Sequence, residues 1–398
     1  MRLFNISNQI LGGSLLIAGT TIGVGMLALP VATGPSGFFP SILTYLACWL
    51  FMLSTGLLLL EVCLWMPKEA NLITMASKMF GRWGQIICWI VYLFLFLSVM
   101  VAHVLGGGQI FQEFSSQGLS FNASTVLYVL LFSPVIYLGT RFVDRLNSLL
   151  MAGVITSYLL FLFISFQHID LSLITYTKWS KAWCALPVLF TSFTYQVIIP
   201  TLVTYMKRDV KQIRKAIILG TSIPLVVYIV WEFVILGIVP VEGANGLLEA
   251  QSKGDNAVAP LKHFVQSPYL VNIGKSFAFF TMTTSYIGLA LAYVDFLADG
   301  LKVKKTNLNK FFLCLTVFIP PTLIGMTYPH LFMQALHYAG GFACSLLFGF
   351  LPPLMVWVGR YKLRYTTKWQ QIKGGKALLT ALMLFIAIEI VIEIVKLF

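Results

Sequence analysis

Along most of this chain apolar residues neither alternate nor return every third or fourth place. They run in unbroken blocks, separated by short segments where charge, proline and glycine gather. An α-helix rises 1.5 Å per residue, so ~20 apolar residues match the ~30 Å hydrocarbon core of a bilayer. The blocks therefore predict eleven membrane-spanning helices, at about 10–32, 38–62, 84–112, 122–140, 147–167, 182–206, 213–239, 269–298, 311–328, 332–358 and 377–397. The first block begins near Leu11 and continues to about Ala32, too long for the apolar core of a signal peptide, and is read as a retained span. Pro67 to Arg82 predicts a short amphipathic connector. The longest polar stretch, Pro240 to Pro268, is glycine-rich and long enough to carry short helices of its own.

Composition agrees with that pattern and removes the alternatives. Of 398 residues, 58% are hydrophobic and 10% charged, with mean hydropathy +0.87. Soluble domains carry roughly 25% charged residues, so a water-facing surface, a disordered tail and a secreted scaffold are all excluded. The fold class is an all-α integral membrane protein forming a single transmembrane domain over 1–398. A net charge of +13 invites a nucleic-acid partner, but the basic residues sit in short runs between apolar blocks, such as Lys207, Arg208, Lys211, Arg214 and Lys215. So placed they face lipid headgroups, and no nucleic acid is expected. With the N-terminus inside, 21 of the 27 Lys and Arg fall on the cytoplasmic side, including Lys68 and Lys305. That bias makes the N-terminus cytoplasmic and, across an odd number of spans, the C-terminus periplasmic.

The six cysteines lie in or beside apolar blocks without a CxxC pair, as small buried hydrophobes do. The five histidines lack ligand spacing, so no metal site and no cofactor are expected. HExxH, GxSxG and GxxxxGK[ST] are all absent, which argues against a membrane-embedded enzyme and an ATP-driven pump.

Two spans depart from plain helix. The first contains Gly19-Thr20-Thr21-Ile22-Gly23-Val24-Gly25-Met26, and the sixth contains Phe190-Thr191-Ser192-Phe193-Thr194-Tyr195-Gln196 followed by Pro200. Glycine permits an unwound segment and close backbone approach, and proline removes a donor. Gly19 and Gly23 also fit a small-xxx-small packing face, which would need no break. Unpaired backbone groups at membrane depth must line a cavity, not lipid. Interrupted spans at positions one and six are what two inverted five-span repeats produce, with a binding site between them. A half-helix N-terminus there suits a carboxylate, and unwound carbonyls suit an ammonium group or cation. The pair suits an amino acid zwitterion.

These residues carry a resemblance. The run from Gly19 to Pro30, the sixth-span run Leu189-Phe190-Thr191-Ser192-Phe193 with Pro200 and Tyr205, and Thr284-Ser285-Tyr286-Ile287-Gly288-Leu289-Ala290-Leu291 leading to Asp295 and Asp299 resemble the hydroxy and aromatic amino acid permeases. The likeness spans nearly the whole chain. It implies a leucine-transporter-type 5+5 inverted repeat, about 10–167 and 182–358, plus one extra helix at about 377–397. It also implies a location in the bacterial inner membrane and proton-driven import of L-tyrosine, with other aromatic amino acids as weaker substrates. The chain departs from that family in span six, where Thr194 and Gln196 replace the family's glycine and histidine.

The expected substrate contacts are Thr20, Thr21, Gly23, Val24, Gly25, Phe190, Phe193, Thr194, Tyr195, Gln196 and Ser285. The N–H groups of Gly23, Val24 and Gly25 would hold the carboxylate. Carbonyls near Thr20, Thr21 and Phe190 would meet the ammonium group. Phe193 and Tyr195, with span-three and span-eight surfaces, would wall the aromatic ring. Thr194, Gln196 or Ser285 would read a phenolic hydroxyl. Coupling candidates are Glu232, an ionisable residue deep in span seven, and the hydroxyls of Thr284 and Ser285. The last two could complete a sodium site, so H+ and Na+ both stay open as the coupling ion. Glu389 and Glu393 in span eleven, and Glu61, Glu113 and Asp295 near span ends, are further intramembrane acids. Gly106-Gly107-Gly108-Gln109 reads as a packing groove or a substrate contact.

Overall fold

The computed structural model describes residues 2–67, 70–115, 118–304 and 306–396. Lys68 and Lys305 of the charge bias, part of the connector after span two, and the end of the expected last span lie outside the described residues.

All eleven expected blocks are helical. The first span is a bent pair, Gln9–Thr21 and Val24–Ser36, whose halves diverge by 58°. Ten more follow: Phe38–Trp65, Leu72–Phe114, Phe121–Leu138, Arg141–His168, Trp179–Tyr205, Val210–Ile238, Pro268–Gly300, Asn307–Thr327, Phe332–Lys362 and Gly375–Val395. They are spans two to eleven below. Side chains mark their starts: Asn71, Ser120, Asp209, Ser267 and Thr306 each accept from a backbone N–H of the first turn. Span three is longer than the apolar block because the amphipathic connector joins it end to end. The junction is Gly81, at φ 70°, a left-handed conformation that favours glycine. The 240–268 loop does hold short helices, Leu247–Lys253 and Leu261–Phe264.

Span eight packs along span five, and the first half of span one lies along span seven. Spans three and eight meet through rings, with Phe96 and Tyr293 stacked at 4.9 Å. At the end of the bundle opposite the 240–268 loop, span two is clamped by two arginines. Arg360 of span ten grips the fully buried Glu61 with two bonds of 2.7 and 2.6 Å. Arg208 donates to the last carbonyls of span two, at Cys63, Leu64 and Met66. Glu61, one of the acids near span ends, is thus a buried ion-pair partner.

Candidate functional site

The helix of span one stops at Thr21 and restarts at Val24. Among the described residues, the N–H groups of Gly23, Val24 and Gly25 donate to no carbonyl, which leaves three donors at the start of the second half-helix. Two of these glycines are there for room. A Cβ on Gly25 would lie 2.4 Å from Ser192 Oγ and 2.9 Å from its Cα, so the two broken spans cross at this point. A Cβ on Gly23 would lie 2.6 Å from Ser285 Oγ on span eight.

Span six breaks over Phe193-Thr194-Tyr195, between the helices Leu186–Ser192 and Ile199–Tyr205. Its first half therefore brings carbonyl ends to the region where span one brings N–H ends. One residue ties them together. The Tyr228 hydroxyl of span seven lies 2.7 Å from Thr21 O and 3.0 Å from Ser192 O, and the residue is fully buried. Sequence reading missed Tyr228, because a tyrosine in an apolar span carries no local mark of its partners.

The hydroxyls of Thr20 and Thr21 turn back to Leu16 O and Ile17 O of their own helix, so these residues offer only backbone to the break. Thr21 O already accepts from Tyr228, and Phe190 O accepts from Thr194 Oγ1 at 2.6 Å. Each carbonyl keeps a second lone pair. The ring pocket needs correction. Phe193 packs edge-on to Tyr45 and Tyr228, Phe190 lies against Phe51 and Phe385, and the Tyr195 hydroxyl reaches Met52 O over Gly56. Gln196 donates to Met52 O and Thr55 Oγ1 and caps the Tyr195 N–H. Phe193, Tyr195 and Gln196 face span two, Phe193 also touching Tyr228 of span seven, because the unwound turn after Ser192 rotates them; Phe190, still on the helix before that turn, faces spans two and eleven. Thr194 and Gln196 thus have their hydrogens committed elsewhere.

Ser285 faces Gly23, and Gly288 and Ala292 continue the same face one and two turns on. Both are exposed, and a Cβ on Gly288 would meet nothing within 4 Å. The neighbouring Thr284 is buried and bonds Asn147 of span five. The 240–268 loop is tied to spans one and three. Ala257 N donates to Leu27 O of span one at 2.9 Å, while Gln109 donates to Asp255 at 2.6 Å and accepts from Asn256 at 3.2 Å. Burial raises the Asp255 carboxyl above the ordinary range, against the opposing pull of Gln109, Lys253, Lys262 and His330. The Gly106 to Gly108 run is close packing: a Cβ would strike Met282, Tyr128 and Thr125 in turn.

Glu232 is fully buried near the loop end of span seven. Thr33 Oγ1 lies 2.6 Å from Oε1 and the Tyr45 hydroxyl 2.7 Å from Oε2, so it joins spans one, two and seven. Thr33 has one hydrogen and two acceptors, Glu232 and Leu29 O at 2.7 Å.

With this geometry in place, comparison with known proteins is decisive for the class. The model of the tryptophan/tyrosine permease family matches residues 6–394. The chain belongs to that family. It is similar to the tyrosine-specific transport system 2 of Haemophilus influenzae, 28% identical over 394 residues, covering 97% of this chain and 96% of the relative. It is as similar to a tryptophan-specific transport protein of the same organism, 28% identical over 406 residues, covering 98% and 96%. Among solved structures, MhsT in complex with L-phenylalanine superposes with a TM-score of 0.67 at 14% identity, covering 98% of both chains. The fold is the leucine-transporter type, and this permease is a multi-pass transport protein of the bacterial inner membrane, not an enzyme.

Proposed function

We propose that this permease is a secondary active symporter that imports tyrosine, with other aromatic amino acids as weaker substrates, by alternating access around its two broken spans. One observation carries the reading: three unpaired N–H groups at Gly23 to Gly25 face the carbonyl end of span six across a tie made by Tyr228. The carboxylate sits on those N–H groups, where donors and the half-helix dipole both favour it. The ammonium group sits on the second lone pairs of Thr21 O and Phe190 O. With Phe193 and Tyr195 turned away, the ring lies along the Ser285–Gly288 face of span eight. Ser285 is then the remaining expected hydroxyl able to read a phenol, so phenylalanine competes within about tenfold of tyrosine, the worth of one neutral hydrogen bond.

The coupling ion is read as H+, with Glu232 as a carrier, supported by its full burial where spans one, two and seven meet. We read the N-terminus as cytoplasmic and the C-terminus as periplasmic from the Lys and Arg bias, with 10–167 and 182–358 as the two repeats. Counterflow in proteoliposomes tests the reading. Labelled tyrosine should exchange with internal unlabelled tyrosine, with phenylalanine and tryptophan competing and leucine competing poorly. Gly23→Leu should abolish exchange while the protein stays folded. Exchange undiminished in that variant, or equal competition by leucine, overturns the site.

A further inference from the structure

Span eleven contributes to neither break, yet its packed face carries two acids one turn apart. Glu389 and Glu393 are 5% and 4% exposed. Glu393 lies at the mouth of a cavity of about 330 Å³ on the loop side, paired with Lys396 Nζ at 2.6 Å and hydrogen-bonded to His337 of span ten. Gln251 of the 240–268 loop and Gln334 also line that cavity. One turn deeper, Glu389 has no cation in contact among the described residues. Its Oε2 lies 3.0 Å from Ser345 Oγ, and its Oε1 is buried without a partner. The titratable and charged groups facing it are Glu393 and Lys396 on its own helix, Cys344 on span ten and Cys48 on span two.

Burial and sparse hydrogen bonding together favour the neutral carboxyl at Glu389. Ser345 has one hydroxyl hydrogen but lies 3.0 Å from two acceptors, Glu389 Oε2 and Gly340 O. If Glu389 is ionised, a buried charge has one hydroxyl as its partner and a bare Oε1, a costly arrangement. If Glu389 carries a proton, it donates to Ser345, whose own hydrogen goes to Gly340 O. The proton removes the buried charge and keeps the bond to Ser345. Gly340 in turn is pressed on span six: a Cβ there would fall 1.6 Å from Pro187 O and 2.7 Å from Thr191 Oγ1. Thr191 also donates to Leu336 O at 3.0 Å, one turn before Gly340. The contact falls in a π-helical stretch, Ala339–Phe350, whose wide turns often mark functional sites.

We propose that Glu389 is a proton-binding site, filled from the loop-side cavity past His337 and Glu393, whose occupancy sets the packing of span ten on the first half of span six. This rests on the proton-coupled reading above and adds a site distinct from Glu232. The chemistry is binding alone: a solvent proton joins the carboxylate, and no other bond changes.

The test uses the full-length protein. Infrared difference spectra between acidic and alkaline pH should contain a protonated-carboxyl band that Glu389→Gln removes, and His337→Gln should shift the pH at which it titrates. In proteoliposomes an inward gradient of about one pH unit supports about tenfold accumulation per coupled proton, and Glu389→Gln should lower that ratio relative to exchange. A band unchanged in Glu389→Gln overturns the site. A lost band with wild-type accumulation overturns its link to span six. A wild-type protein that shows the band but no gradient-driven accumulation overturns the proton-coupled reading and leaves the site standing.

Discussion

Replacing Tyr228 by phenylalanine isolates the tie between the two breaks. The ring remains against Phe193, 5.2 Å away and edge-on, so packing is kept and only the hydroxyl is lost. That hydroxyl is the shared donor for Thr21 O at 2.7 Å and Ser192 O at 3.0 Å, both deep in the bundle. Leaving buried acceptors unpartnered costs about 1–3 kcal/mol. If the tie holds the breaks in their binding geometry, the same energy is lost from substrate affinity, which at ~1.4 kcal/mol per tenfold is a factor of about 5–150. Tyr158→Phe is the control, since its hydroxyl also donates to a backbone carbonyl, Val227 O at 3.0 Å, without joining the two breaks. Labelled tyrosine binding to purified protein, measured beside thermal unfolding, reads both effects. Tyr158→Phe should lower the melting temperature and keep affinity, whereas Tyr228→Phe should lower both. Wild-type affinity in a folded Tyr228→Phe protein refutes the reasoning.

Gly25→Ala should abolish exchange, because its Cβ meets the Ser192 backbone, while Gly23→Ala should keep partial exchange because it meets only the movable Ser285 side chain; counterflow rates of the two compare them directly. Arg360→Met strands a buried carboxylate and should cost about 3–5 kcal/mol, seen as a lower unfolding temperature, and adding Glu61→Gln should recover part of the loss. Because burial raises Asp255, its contribution to loop stability is present at low pH and is lost as pH rises through the raised value. Amide exchange at residues 255–258 should therefore quicken with rising pH beyond the intrinsic rate, and Asp255→Asn should flatten that excess.

The spans were legible because apolar length is set by the bilayer and needs no tertiary information. The two breaks were legible for a related reason: Gly23 and Gly25, and the polar run before Pro200, are expensive in mid-membrane unless a cavity is present. Side-chain direction was not legible. Phe193, Tyr195 and Gln196 sit in the right segment, but a non-helical turn rotates them onto span two, and no periodicity survives a break to say so. Tyr228 and Asn147 were invisible because each acts through partners on other spans, 207 and 36 residues away for Tyr228 and 137 for Asn147. Glu61 looked like an end-of-span acid, since Arg360 lies 299 positions along the chain.

The central claim is import driven by a proton gradient through a site between the broken spans. Accumulation of labelled tyrosine in proteoliposomes measures it most directly, with an inward pH gradient in one set and an inward sodium gradient in another. Accumulation above equilibrium with the pH gradient, collapsed by a protonophore and absent with sodium alone, is the expected result. Accumulation that requires sodium, or tyrosine entry that never exceeds equilibrium under either gradient, contradicts the account.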